Sequence, residues 1–189
     1  MVLPIVNYGD PVLRQRGEQI AEVTPEITKL IEDMVDTMEE AAGIGLAAQQ
    51  IGKAIQLTVV DVSEVTDRSS AMFIDGKEVD FKEYMPMVLI NPVLKTSGKR
   101  EEGPEGCLSF PEIYEEVMRP IHVEVKALNG KGEPLHFKAE GLLSRCIQHE
   151  TDHLNGILFI DRMIRDAKLH VKKDVDALFE ETRKELGIS

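Results

Sequence analysis

The sequence predicts an α+β fold: a mixed or antiparallel β-sheet around a central helix, with one helix near each end of the chain. Two observations predict it. Apolar residues recur with helical spacing in three separate segments, and they alternate with polar residues in paired short segments between those helices. The length of 189 residues is typical of a single domain, with a core large enough to fold without disulfides.

The first helix follows residues that suit a helix start. Thr24 is a residue type that commonly caps helices, and Pro25 fits the first helical position. Gly43 provides a stop signal. Between them, apolar residues at helical spacing predict one buried helix face, formed by Ile27, Leu30, Ile31, Met34 and Met38.

Strands are predicted in the middle of the chain. Residues 55–62 are rich in β-forming side chains, and the short apolar run 87–90 is ended by Asn91 and Pro92. The charged stretch 64–85 has no firm periodicity, and we expect a long surface loop or an insertion there.

A β-hairpin is predicted over residues 121–139. Apolar and polar residues alternate on both sides of a turn at residues 129–132. His122 and His136 fall on the polar face of this hairpin, so we expect them to be solvated side chains rather than ligands.

Two further helices are predicted after the hairpin. The first spans residues 142–154 and ends at Asn155 and Gly156. The second follows Asp161 and continues to Leu186. Its apolar stripe is formed by Val171, Val175, Leu178 and Phe179.

Charge and composition exclude several classes of function. Lys and Arg number 22 and Asp and Glu number 34, so the net charge is −12, which disfavours electrostatic binding to DNA or to an anionic membrane. Every apolar run is far shorter than the roughly 20 residues that a membrane-spanning helix needs. The N-terminal residues lack the features of a secretion signal, and Cys107 and Cys146 do not form a C-x-x-C pair. We therefore expect a protein of the reducing cytoplasm.

The helix over residues 142–154 carries an H-E-x-x-H motif, His149-Glu150-Thr151-Asp152-His153. Residues four apart lie on one helix face, separated by about 6 Å along the axis, so both imidazoles can reach one tetrahedral metal ion. Glu150 lies about 60° around the helix from His153. The motif therefore predicts two metal ligands and a general base beside them.

A catalytic metal site normally has three protein ligands, so a third must come from elsewhere. Phe159 stands where a metzincin has its last histidine, which excludes that class. Glu180, Glu181 and Glu185 are the thermolysin-like option, but they lie on a charged helix face. Cys107 is the remaining candidate, and a thiolate beside two imidazoles suits Fe²⁺, Zn²⁺, Co²⁺ or Ni²⁺.

Three segments, in this order, carry a family resemblance. They read Gly-Ile-Gly-Leu-Ala-Ala-Gln-Gln at residues 43–50, Glu-Gly-Cys-Leu-Ser at 105–109 and Gln-His-Glu-Thr-Asp-His-Leu at 148–154. Together they resemble the three signature motifs of the peptide deformylases. The likeness covers most of residues 4–165, including Asp-Pro-Val-Leu-Arg at residues 10–14.

The resemblance implies a role for each matching residue of the catalytic centre. The metal ligands would be Cys107, His149 and His153. Water would take the fourth position, and Glu150 would be the general acid and base. The side chain of Gln50 and the backbone N–H of Leu108 would stabilise the oxyanion.

The same resemblance implies how substrate is held. The backbone at Ile44, Gly45 and Gly106 would align an extended peptide. Leu142 and Cys146, with Ile44, would line a pocket for a methionine side chain. Glu105 and Arg119 match a charge pair that in the family fixes the cysteine-bearing loop. Asp152 is either a partner of a ligand histidine or a surface carboxylate.

The function implied is removal of the N-formyl group from the N-terminal formyl-methionine of nascent polypeptides, with release of formate. One divalent ion would be bound: Fe²⁺ in the cell, and Zn²⁺, Ni²⁺ or Co²⁺ in purified samples. We expect a bacterial-type monomer in the cytoplasm with transient ribosome contact and no DNA or membrane partner. The catalytic domain would span residues 1–165, and residues 166–189 would form a helical extension of it.

The chain departs from the family pattern around the substrate pocket. Arg145, Gly103 and Pro104 replace residues that are often apolar, and Tyr114 stands where an arginine is frequent. We expect the stem of Arg145 to pack at the pocket rim and its charge to stay in water.

Two other functions use the same residues. An H-E-x-x-H zinc endopeptidase would cleave internal peptide bonds with the same motif. A non-catalytic metal-binding module would need a fourth protein ligand, for which Cys146 and His170 are the available side chains.

Overall fold

A computed structural model describes all residues, 1–189, as three α-helices and one seven-stranded sheet. The elements, in chain order, are α1 Pro25–Glu40, β1 Gly45–Ala47, β2 Leu57–Val60, β3 Ser70–Ile74, β4 Lys77–Val79, β5 Met87–Cys107, β6 Phe110–Leu128, β7 Pro134–Glu140, α2 Gly141–Leu154 and α3 Arg165–Glu185. The strand order is β1-β2-β5-β6-β7-β3-β4, and every strand pairing in it is antiparallel. The predicted α+β class is confirmed.

Helix α1 begins where the sequence predicts. Thr24 is the N-cap, and its hydroxyl accepts a hydrogen bond from Ile27 N at 3.3 Å. The helix ends at Glu40, and the residue with left-handed backbone is Ala42, with φ of 52°, rather than Gly43. The left-handed residue that ends the helix is therefore one position before the predicted Gly43. Gly43 N still donates a hydrogen bond to Met38 O at 2.9 Å.

Strand β5 is much longer than the predicted strand over residues 87–90. It continues past Asn91 and Pro92 to Cys107, with a register shift between Ile90 and Val93. Proline is tolerated there because the ladder is already interrupted by that bulge. Together β5 and β6 form one long hairpin whose two-residue turn follows Cys107, so this cysteine lies at the tip of the hairpin.

The expectation of an irregular loop over residues 64–85 is wrong. The segment contains β3 and β4, which pair with each other, and β3 also pairs with β7. It also bonds the first turn of α2, because Ser69 O accepts from Leu142 N at 2.8 Å and Ser70 Oγ accepts from Leu143 N at 3.0 Å. The helix N-terminus is thus capped by residues more than 70 positions earlier in the chain.

Helix α2 is central to the fold, as predicted. It contacts β1, β2, β3, β5, β6 and β7, and only three of its 14 residues are not buried. The predicted hairpin over residues 121–139 is confirmed as β6 with β7. His122 and His136 lie on its exposed side, where they pair with Glu140 and Glu124.

Helix α3 packs on β6 and closes a second apolar cluster. Val171 and Val175 are buried there with Leu13, Phe110 and Phe159. Further along α3, the ring of Phe179 lies 5.3 Å from that of Tyr8. No helix in the structure is long and apolar enough to cross a membrane.

Candidate metal centre and substrate cavity

The two histidines of the motif lie on one buried face of α2. His149 is 7% exposed and His153 is 1% exposed, and their ring centroids are 5.2 Å apart. His149 Nδ1 bonds Glu105 Oε1 at 2.8 Å, which leaves its Nε2 atom free to bind a metal ion. Burial, together with the charges of His149 and Arg119, lowers the pKa of His153 well below its usual value. Burial thus favours the neutral form of the His153 imidazole, which is the form that binds a metal ion.

Cys107 completes a three-residue cluster with these histidines. Its Sγ atom lies 3.3 Å from His153 Nε2, and one ligand atom from each of the three residues lies within 4.8 Å of the others. One sulfur and two imidazole nitrogens form a donor set typical of a transition-metal site with an open fourth position. The three side chains therefore fit a divalent metal ion.

The carboxylate behind His149 is buried and fully bonded. Glu105 Oε2 accepts from Arg119 Nε at 2.6 Å, and Glu105 Oε1 accepts from Arg119 Nη2 at 2.9 Å. Burial alone would raise the pKa of Glu105, but the hydrogen bonds from His149 and Arg119 outweigh it and hold this pKa well below its usual range. A charged Glu105 keeps the proton of His149 on Nδ1.

Asp152 does not touch a ligand histidine. Its Oδ2 atom accepts from Arg119 Nη1 at 2.9 Å, and both of its oxygens accept from Arg162. It is therefore neither a solvated surface carboxylate nor a direct partner of a ligand. It orients Arg119 instead.

Glu150 is a buried carboxylate with one unused oxygen. It is 4% exposed, and its Oε2 atom has no hydrogen-bond partner in the chain. Burial raises the pKa of Glu150 to about 7, a value suited to a group that takes up and releases a proton at neutral pH. The carboxylate is directed at β1, since a Cβ atom on Gly45 would lie 2.5 Å from Glu150 Oε1.

Gln50 and Leu108 bring hydrogen-bond donors to the same place. Gln50 Oε1 accepts from Ala47 N at 2.9 Å, which fixes the side-chain amide. Gln50 Nε2 then lies 3.2 Å from Ser109 Oγ and 3.6 Å from Cys107 Sγ. The backbone N–H of Leu108 has no backbone acceptor, and Leu108 lines the cavity.

A cavity of about 370 Å³ opens beside these groups. All five residues predicted to bind substrate line it, and so do Cys107, His149 and Glu150. The five are Ile44, Gly45, Gly106, Leu142 and Cys146. Cys146 donates from Sγ to Ile44 O at 3.3 Å, and the ring of Tyr114 covers Gly106, where a Cβ atom would lie 2.5 Å from Tyr114 Cε1.

Arg145 lines the cavity, but the expectation that its charge stays in water is wrong. Its side chain is only 12% exposed, and its guanidinium bonds Glu105 and two backbone carbonyls rather than water. The guanidinium can reach these carbonyls because Gly103, which has no Cβ, leaves space for it. No sequence pattern signals this contact, because Arg145 and its acceptors lie in distant segments of the chain.

The other ligand candidates are not brought to the site. His170 pairs with Glu115 on the surface, and the carboxylates of Glu180, Glu181 and Glu185 are exposed on α3. Cys146 lines the cavity but does not belong to the three-residue cluster. A fourth protein ligand, which a closed metal module requires, is not present in that cluster.

Comparison with known proteins agrees with this geometry. The sequence profile of the polypeptide deformylase family matches residues 2–169. A peptide deformylase of Opitutus terrae is 44% identical over 185 residues, covering 97% of this chain and 96% of the relative. One from Methylacidiphilum infernorum is 42% identical over 178 residues, covering 94% and 93%.

Solved structures show the same similarity. Peptide deformylase 1B of Arabidopsis thaliana superposes with a TM-score of 0.82 at 35% identity, covering 98% of this chain and 95% of that one. A peptide deformylase of Synechococcus elongatus, solved in complex with actinonin, gives 0.75 at 37% identity, covering 99% and 87%. This chain therefore belongs to the polypeptide deformylase family, the metal-dependent hydrolases that remove the N-formyl group from nascent polypeptides.

Proposed function

We propose that Cys107, His149 and His153 bind the catalytic ion and that the remaining predicted site residues act on the formyl group around it. The observation that carries this assignment is the convergence of one thiol and two imidazoles, whose ligand atoms lie within 4.8 Å of one another. Two of the three residues, Cys107 and His149, also line the cavity. We propose Fe²⁺ as the ion in the cell, with Zn²⁺, Ni²⁺ or Co²⁺ able to replace it, because mixed sulfur and nitrogen donors accept each of these ions.

A divalent ion at this position lowers the pKa of water and polarises a carbonyl oxygen. Glu150 handles the proton in this proposal. Its unpartnered carboxylate accepts a proton from the water that attacks the formyl carbon, and then delivers that proton to the amide nitrogen as the bond to formate breaks. The raised pKa of Glu150, about 7, lets one group perform both transfers.

The developing oxyanion needs hydrogen-bond donors that are already in place. Gln50 Nε2 supplies one, because its amide is fixed by Ala47 N and its nearest acceptors are Cys107 Sγ and Ser109 Oγ. The N–H of Leu108, free of a backbone acceptor, supplies the other.

Substrate binding uses the backbone at the edge of the sheet. Strand β1 is the terminal strand of the sheet and pairs only with β2, so an extended peptide can lie along Ile44 and Gly45 and against Gly106. Leu142 and Cys146 give the cavity an apolar wall for the methionine side chain. Glu105 and Arg119 keep His149 oriented.

Substitution of the ligands tests the assignment. We expect Cys107→Ala and His149→Ala to abolish metal retention and formate release together. Cys146→Ala is the matched control, since it removes the other thiol of the cavity and should keep one ion per chain. Metal content by elemental analysis and formate release from a formyl-methionyl peptide measure both effects. Stoichiometric metal in Cys107→Ala would refute the ligand set.

The identity of the ion is tested by anaerobic purification, elemental analysis and activity after reconstitution with each ion.

We also propose that the protein is a cytoplasmic monomer. Because its substrates are nascent chains, we propose that it contacts ribosomes transiently. Analytical ultracentrifugation and cosedimentation with ribosomes test these two points. Residues 1–165 would form the catalytic domain, and residues 166–189 would be a helical extension of it.

A further inference from the structure

A second arginine, besides Arg119, holds the carboxylate of Glu105. Arg145 Nη1 donates to Glu105 Oε2 at 2.9 Å, the same oxygen that accepts from Arg119 Nε. The other oxygen accepts from Arg119 Nη2 and from His149 Nδ1. Glu105 therefore has four charged or imidazole donors around it, and Arg145 secures the oxygen that does not touch His149.

Arg145 also ties the helix to both strands of the long hairpin. Its Nη1 atom donates to Val117 O on β6 at 2.8 Å, and its Nη2 atom donates to Glu101 O on β5 at 3.0 Å. Arg145 lies one turn before His149 on α2. One guanidinium thus spans the gap between the helix that carries both histidines and the hairpin that carries Cys107.

The space for this guanidinium depends on Gly103. A Cβ atom at position 103 would lie 2.8 Å from Arg145 Cζ and Nη2 and 2.9 Å from Nε. Gly103 is not among the glycines with positive φ, so its backbone conformation is open to any residue. The three nearest atoms that a Cβ at this position would meet all belong to the Arg145 guanidinium.

We propose that Arg145 is a positioning residue for the metal centre and that Gly103 is the residue that lets it act. The proposal rests on His149 and Cys107 being ligands. Arg145 acts through Glu105 on the orientation of His149, and through the two carbonyls on the distance between His149 and Cys107. Loss of a partner that orients a metal ligand commonly weakens metal binding by about 10- to 100-fold.

Release of metal to a chelator tests the proposal directly. We expect Arg145→Met to release a bound Zn²⁺ or Co²⁺ ion at least about tenfold faster than the unmodified chain, on the scale seen for such partners. Gly103→Ala should reproduce this effect, because it displaces the same guanidinium. A variant that combines Arg145→Met with Gly103→Ala should release metal no faster than Arg145→Met alone. The guanidinium that Gly103→Ala displaces is already absent from it.

Matched controls separate this role from general loss of contacts. Arg100→Met removes an exposed arginine that donates to Met118 O across the same hairpin, and it should leave metal release unchanged. Gly130→Ala adds a Cβ atom with only ordinary contacts, the nearest at 3.6 Å, and should also be neutral. Arg145→Lys keeps the charge but not the planar fork, so it should restore only part of the retention.

Each outcome decides the question. Normal metal release from Arg145→Met, or multiplied effects in the double variant, would overturn the role of Arg145. If Arg145→Met does not fold, Gly103→Ala and Arg145→Lys carry the same comparison. A Cys107→Ala variant that retains metal would instead refute the proposed ligand set, so the two failures are distinguishable.

Discussion

The side chain of Glu150 combines burial with an unused oxygen. Oε2 has no partner within the chain, and Gly45, which has no Cβ, leaves room for Oε1. An isolated buried carboxylate is costly, so its position is consistent with a catalytic rather than a structural role.

Glu150→Gln therefore separates the base from the ligands. We expect this variant to keep one metal ion per chain and to lose at least about 100-fold in kcat, the scale of general acid–base catalysis. Glu181→Gln on α3 is the control, because it makes the same chemical change at an exposed site and also tests that carboxylate as a ligand. Near-normal turnover of Glu150→Gln would exclude the role as base.

The residues found from sequence are those whose spacing is local. The two histidines are four apart on one helix, so helical geometry alone predicts that they share a face. Cys107 lies in a distant segment, so only elimination of the other third-ligand candidates and the family resemblance point to it. Arg145 and Ser109 were not assigned a role at the site, because their partners lie in other segments and no periodicity links them.

At the scale of elements, the segment 64–85 shows where sequence patterns fail. Its strands β3 and β4 have five and three residues, too short to display alternation, and charged residues surround them. Strand β3 is instead stabilised by backbone pairing with β7, a contact that the local sequence does not indicate. The helices, the hairpin of β6 with β7 and the start of α1 were predicted because each repeats its pattern over many residues or carries a cap.

Ser70 gives this segment a measurable role. Its hydroxyl accepts from Leu143 N in the first turn of α2, and the N-cap residue Glu140 makes no side-chain cap. We expect Ser70→Ala to lower the free energy of unfolding by about 1 kcal/mol, the usual cost of a lost cap. Ser69→Ala should be neutral, because Ser69 bonds Leu142 through its backbone oxygen. Equal effects of the two variants in urea denaturation would contradict this account.

At the scale of the whole molecule, α3 packs into an apolar cluster that reaches a ligand candidate of the site. It lies mostly beyond the segment matched by the family profile, yet Val171 and Val175 share an apolar cluster with Phe159, whose ring centroid lies 5.8 Å from that of His149. The helix is therefore part of the core rather than a tail beside it.

Val175→Ala tests how firmly α3 is integrated. We expect a loss of about 1 to 2 kcal/mol in unfolding free energy, from about 0.8 kcal/mol for each buried CH₂-sized group. Leu169→Ala on the same helix is the control, since Leu169 is 59% exposed. If α3 were loosely attached, both variants would unfold at the same denaturant concentration as the unmodified chain.

The position of Cys107 at the tip of a hairpin has a consequence for folding as well as for chemistry. Cys107 and His153 are 46 residues apart in the chain and belong to different elements, so an ion bound by both cross-links the sheet to the helix. Since the unfolded chain does not hold these side chains together, each tenfold rise in free ion above the dissociation constant adds about 1.4 kcal/mol to the stability of the folded state. With the proposed ligand set, the stability of the folded state would therefore depend on the concentration of free ion.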